Sequence, residues 1–206
     1  MKACWIVLFL LFAFSPSTLA FSLAGQELLD AASFSSSTAQ LVKAPAGGQV
    51  VEVTFQPAEY PGLSLEFSAL GLETDWTKAP AFELELRNPS TRPQLVHLRL
   101  DSLGPDGKEG WKTFEFYLLP HRLSRIRLAT TWTDEAMRWP PMAGEGFITR
   151  QLYGPPIYWQ RMMRLVLFLV NPTEPCKLLV ERAGLVEGQA PRDRKSTRLN
   201  SSHRIR

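Results

Sequence analysis

Apolar and polar residues alternate with a period of two through much of the chain. Val51, Val53 and Phe55 are interleaved with Glu52 and Thr54, and Leu63, Leu65 and Phe67 with Ser64 and Glu66. The run Phe82-Glu83-Leu84-Glu85-Leu86-Arg87 alternates without a fault. Val96, Leu98 and Leu100 oppose His97 and Arg99, Phe114, Phe116 and Leu118 oppose Glu115 and Tyr117, and Ile126 and Leu128 oppose Arg125 and Arg127. Successive side chains of a strand point to opposite faces, so each run predicts a strand with one buried and one solvated face. Leu165 to Val170 is apolar throughout and predicts a strand buried on both faces, and Leu178 to Glu181 predicts a last one. The expected fold class is all-β, a jelly-roll β-sandwich of about eight strands with little helix. Phe82, Leu84, Leu86, Leu98, Phe114, Phe116, Leu165 and Leu167 are its expected core.

The breakers fall between these runs. Asn88-Pro89-Ser90 and Asn171-Pro172-Thr173 each follow a strand, where proline ends a ladder because it has no N–H to donate. Gly104-Pro105-Asp106-Gly107 predicts a turn joining two antiparallel strands. A short helix is expected over Gln26 to Ala32. Thr131-Trp132-Thr133-Asp134 has a capping-box pattern, which Pro140 cuts short.

Both ends change how the composition is weighed. Lys2, the apolar run Cys4 to Phe14, the Ser15-Pro16 break and the small residues of Thr18-Leu19-Ala20 predict an export leader cleaved after Ala20. Eleven apolar residues are short for a membrane span. At the other end, Asp193 to His203 (Asp-Arg-Lys-Ser-Thr-Arg-Leu-Asn-Ser-Ser-His) resembles a translated short-read sequencing adaptor without a mismatch. That resemblance implies an artefactual, disordered tail over 193–206 and a gene whose product continues past about Arg192. Without the tail, the formal charge of +3 falls to −1, and to −2 once Lys2 leaves with the leader. The basic balance that would suggest a nucleic-acid partner therefore disappears. The expected organisation is a leader over 1–20, a lead-in segment over 21–49, a sandwich over 50–192 and the tail. After cleavage the product is expected to be secreted or periplasmic, with no membrane anchor. Cys176 is then its one cysteine, expected to be a small buried hydrophobe beside a strand.

From Thr130 to Gln160 the strand period is not visible. Trp132, Trp139, Tyr153, Tyr158 and Trp159 lie there among Pro140-Pro141, Gly144, Gly146 and Gly154-Pro155-Pro156. A connection of this length is often functional. Aromatic faces on a loop suit stacking on sugar rings, whose C–H faces are apolar while their rims form hydrogen bonds. These five residues are the candidate carbohydrate-binding set. The competing expectation is that they cover an open edge of the sandwich.

The chain resembles the galactose-binding-like β-sandwich module that precedes the catalytic barrel in secreted β-agarases and related β-galactosidase-like glycoside hydrolases. The likeness lies in the strand ending Leu84-Glu85-Leu86-Arg87-Asn88-Pro89, the strand Val96 to Asp101 with its turn, the Gly-Pro loop, the apolar strand Met163 to Asn171, and the closing Leu178 to Leu185. Glu181-Arg182 stands where such modules carry an Asp-Asn pair. The resemblance implies a non-catalytic accessory module with a polysaccharide and a C-terminal catalytic domain as partners.

No nucleophile elbow, zinc motif, Cys-x-x-Cys or phosphate loop occurs. His97 and His121 are expected to be solvated. A glycosidase needs two carboxylates converging on one bond, but Glu52, Glu66, Glu83, Glu85 and Glu115 alternate along strands and are expected to face solvent. Asp101, Asp106 and Glu109 lack calcium-loop spacing and are expected in a plain turn. No catalytic residue, metal or cofactor is expected. Two readings stay open, an accessory carbohydrate-binding module and a non-enzymatic envelope or adhesion sandwich. A third is that the module only packs against its own catalytic domain.

Overall fold

The computed structural model describes residues 20–45, 47–131, 143–144 and 146–187. The leader up to Leu19, the tail, Trp132, Trp139 and most of the Thr131–Asp134 capping box lie outside the described residues. Among the described residues, thirteen strands form two antiparallel sheets packed face to face. The first sheet has the order β3(Ser37–Lys43)-β4(Gln49–Phe55)-β13(Cys176–Leu185)-β6(Ala81–Arg87)-β9(Leu123–Ala129), and β1(Ser22–Leu23) pairs with the end of β13. The second runs β10(Ala143–Gly144)-β11(Phe147–Tyr153)-β8(Glu109–Leu118)-β7(Gln94–Leu103)-β12(Met162–Phe168)-β5(Gly62–Glu66)-β2(Ser33–Ser35). Among the described residues, helix is confined to α1(Gly25–Ala31) and a 3₁₀ turn, Trp76–Lys78.

The alternation translates directly into packing. All eight expected core residues are buried, along with Phe55, Phe67, Leu63, Leu65, Ile126 and Leu128. The Gly104–Gly107 turn joins β7 to β8, and Gly107 takes the left-handed φ of 77° that a side chain disfavours. Cys176 is a free thiol, partly buried against the core. Residues 22–43, read from the sequence as a lead-in, supply strands to both sheets.

Three expectations change. Leu165 and Leu167 of β12, and Leu169 just after it, are buried, but Val166 and Phe168 are only half-buried and Val170 is exposed. The run is apolar on both faces because its outer face lines a groove, not because that face is packed away. Secondly, the segment from Thr130 to Gln160 contains β10 and β11. A register shift between Thr149 and Gln151 inserts Arg150 into β11 as an extra residue, which broke the period-two signal. Thirdly, Glu83, Glu115 and His97 are buried where solvent-facing positions were expected. Arginines bridge the two acids, with Arg182 and Arg125 on Glu83 and Arg150 on Glu115, while the Phe168 ring lies flat over His97.

Candidate functional site

The outer face of the second sheet is built by strand register. One cross-strand row holds Trp111, Asp101, Arg164 and Glu66. The next holds Tyr153, Thr113, Arg99, Val166 and Ser64, and the next Glu115, His97 and Phe168. All of these except Asp101 and Glu66, together with Tyr60 and Arg150, line a groove of about 880 Å³. Rings flank it. On one side Trp111 and Tyr153 meet edge to face, with centroids 6.1 Å apart at 88°, and the Arg99 guanidinium sits 4.9 Å over the Trp111 ring. On the other, Tyr60 meets Phe168 edge-on at 6.1 Å, and Phe168 stacks on His97 at 5.0 Å. Two strands, β8 and β7, separate β11 from β12, so the flanks lie about 14 Å apart at ordinary strand spacing.

Gly154 is required where it stands. Its φ is 123°, and a Cβ there would lie 2.5 Å from the Trp111 carbonyl oxygen and 2.6 Å from its ring. The Gly-Pro-Pro segment therefore approaches the indole closely and fixes one wall of the groove.

The charges are paired. Asp101 accepts from Arg99 Nε at 2.6 Å and from Arg164 Nε and Nη2 at 2.9 and 2.6 Å. Arg164 Nη1 also lies 3.5 Å from Glu66. Arg150 Nη1 lies 3.1 Å from Glu115 Oε2, an ionic contact outside hydrogen-bonding geometry, and His97 Nδ1 stands 3.6 Å from Glu115 Oε1. His97 Nδ1 and Glu115 Oε2 are buried without a hydrogen-bond partner.

Burial pushes the His97 pKa below its ordinary value; Glu115 pulls the other way, and Arg150 adds to the depression. The folded state thus binds fewer protons than the unfolded chain on the acid side of the ordinary histidine range. The contribution of this residue to stability is complete above about pH 6.5 and is lost as the pH falls through the folded-state pKa. Urea midpoints measured across this window should fall more steeply for the wild type than for His97→Gln. Parallel curves would contradict the assignment.

Of the sequence-derived candidates, the structure places Tyr153 in the groove, 38% exposed. Trp159 is buried and stacks on Trp76, with centroids 6.2 Å apart. Tyr158 is half-buried, its N–H donates to Ser102 Oγ, and its ring lies close over Gly104 and Gly110. These three do not form one platform. Sequence reasoning missed Trp111, Phe168, Tyr60, His97, Glu115 and the three arginines. The available signal was aromatic and apolar residues at outward strand positions, such as Trp111, Tyr117 and Phe168, where an ordinary solvated face carries polar ones.

No family model matches the chain, and no curated protein matches its sequence. Solved structures do match. An agarase, AgWH50C, superposes with a TM-score of 0.56 at 12% identity, over 77% of this chain and 24% of that one. PfGH50B gives 0.53 at 15% identity, over 77% and 22%. The family 11 carbohydrate-binding module of the cellulosomal cellulase Lic26A-Cel5E of Clostridium thermocellum gives 0.49 at 13%, over 85% and 91%. The chain spans about a quarter of the length of AgWH50C and PfGH50B. Its fold is therefore a β-sandwich shared with part of the agarase AgWH50C and with PfGH50B.

Proposed function

We propose that this chain is a non-catalytic accessory module of an exported glycoside hydrolase, and that its groove binds a segment of polysaccharide. The observation that carries this reading is the groove itself: aromatic rings on both flanks and a polar floor between them. A sugar offers an apolar C–H face and a rim of hydroxyls, the complement of such a lining. A span of about 14 Å suits a short run of sugars better than a single ring. Glu115, the acid of the groove, stands in an ion pair with Arg150, which suits holding ligand hydroxyls. Acid catalysis would require a carboxyl group kept protonated opposite a second carboxylate. The leader-like N-terminus and the match to about a quarter of the agarase support an exported, multidomain context.

Affinity electrophoresis of the full chain in agarose, xylan and mixed-linked β-glucan gels tests this. At least one gel should retard the chain. Trp111→Ala with Tyr153→Ala should weaken that affinity roughly thirtyfold, each ring contributing on the order of 1 kcal/mol. Unretarded migration in every gel would remove the reading.

A further inference from the structure

Two polar atoms on the groove floor have no hydrogen-bond partner within the fold. His97 Nδ1 and Glu115 Oε2 are buried, on side chains only 5% and 9% exposed, yet both side chains line the groove. Buried polar groups are nearly always paired, because an unmet donor or acceptor costs about 1–3 kcal/mol. Two such atoms on neighbouring strands, beside an arginine placed there by a strand bulge, form a built polar centre rather than an accident of packing.

Resting on the polysaccharide reading above, we propose that His97, Glu115 and Arg150 form the specificity centre of the groove, where adjacent hydroxyls of one sugar residue complete the hydrogen bonds that the fold leaves open. One hydroxyl donates to the Glu115 carboxylate and accepts from Arg150, whose Nη1 lies 3.1 Å from Oε2. Its neighbour donates to Nδ1 of the neutral His97 ring. Phe168, stacked flat on the imidazole, fixes the plane in which Nδ1 points. Arg150 is 48% exposed and is the mobile member, able to swing aside and admit the ligand to the floor.

The arrangement makes recognition depend on protonation. The titratable and charged groups facing His97 are Glu115 on β8, Arg150 on β11, Tyr60 beyond Phe168, and Arg99, the next outward residue on β7. Burial keeps the ring neutral at pH 7. Once protonated, Nδ1 can no longer accept from a hydroxyl. Its proton turns instead toward Glu115 Oε1, 3.6 Å away, so the hydroxyl that donated to Nδ1 loses its acceptor.

The test is affinity electrophoresis of the full chain in whichever gel retards it, between about pH 7.5 and pH 5. Wild-type affinity should fall roughly tenfold as the pH drops below the ordinary histidine range. His97→Phe and Glu115→Gln should each lose about tenfold at pH 7.5. His97→Gln keeps a side-chain oxygen as acceptor but cannot titrate, so it should bind substantially at both pH values. Should His97→Phe fail to fold, the imidazole titration of the wild type followed by NMR decides. Ligand must move the His97 transition to lower pH, because it binds the neutral ring. A flat pH profile, an unchanged or raised transition, or full affinity in Glu115→Gln would overturn this centre while leaving the groove as a binding site. Retardation by no polysaccharide would remove both.

Discussion

Trp76→Ala is expected to lower stability by about 3–5 kcal/mol, the usual effect of emptying an aromatic side chain from a packed core. Trp76 is fully buried. Its ring stacks on Phe82 at 4.7 Å and 12°, and packs against Phe67 at 5.0 Å and Trp159 at 6.2 Å. It also holds the irregular segments together: Nε1–H donates to the Glu73 carbonyl, and its backbone N–H to that of Trp159. The loss should appear as a fall in melting temperature on the order of 10 °C for a domain of this size. Trp76→Phe keeps the stacking and forgoes one hydrogen bond, and should fall in between. An alanine variant within about 1 kcal/mol of wild type by urea unfolding would contradict the packing account.

The second large effect is expected at Asp101. One carboxylate takes three short contacts from Arg99 and Arg164, and Asp101 itself is largely buried. Asp101→Ala would leave two neighbouring guanidinium groups on the sheet with their shared counter-charge gone. The expected loss is about 2 kcal/mol, less than for a fully buried pair because both arginines keep a third or more of their side chains in solvent. Removing it also frees Arg99 from its place over Trp111, so retardation in the binding gel should weaken as well. Asp101→Asn retains an acceptor and should recover part of both losses. Equal urea midpoints for wild type and Asp101→Ala would show that the cluster adds nothing to the fold.

Strand content, core membership and the β7–β8 turn were legible in the sequence because they rest on local rules. A period of two assigns faces without knowledge of the partner strand, and proline or glycine ends a ladder wherever it stands. Phe114 and Phe116 could be placed inside from their neighbours alone. The same local rules made β11 invisible, since one extra residue at Arg150 is enough to break the period. They also gave Trp159 to a binding loop, although its ring lies in the core on Trp76, a residue 83 positions earlier.

The sequence by itself thus determined which side of each regular strand is apolar and how many ordered layers that pattern requires. Only the tertiary structure decided which outer face becomes a groove. That choice depends on strand order: β8 and β12 flank β7, so Trp111, His97 and Phe168, far apart along the chain, share one surface. Whether an outward charge is solvated or buried was likewise not local. Glu115 and His97 sit at polar-face positions by periodicity and are buried because Arg150 and Phe168, from other strands, cover them. Alternation specifies the face of a residue, whereas burial on that face is specified by neighbours that only strand pairing brings near.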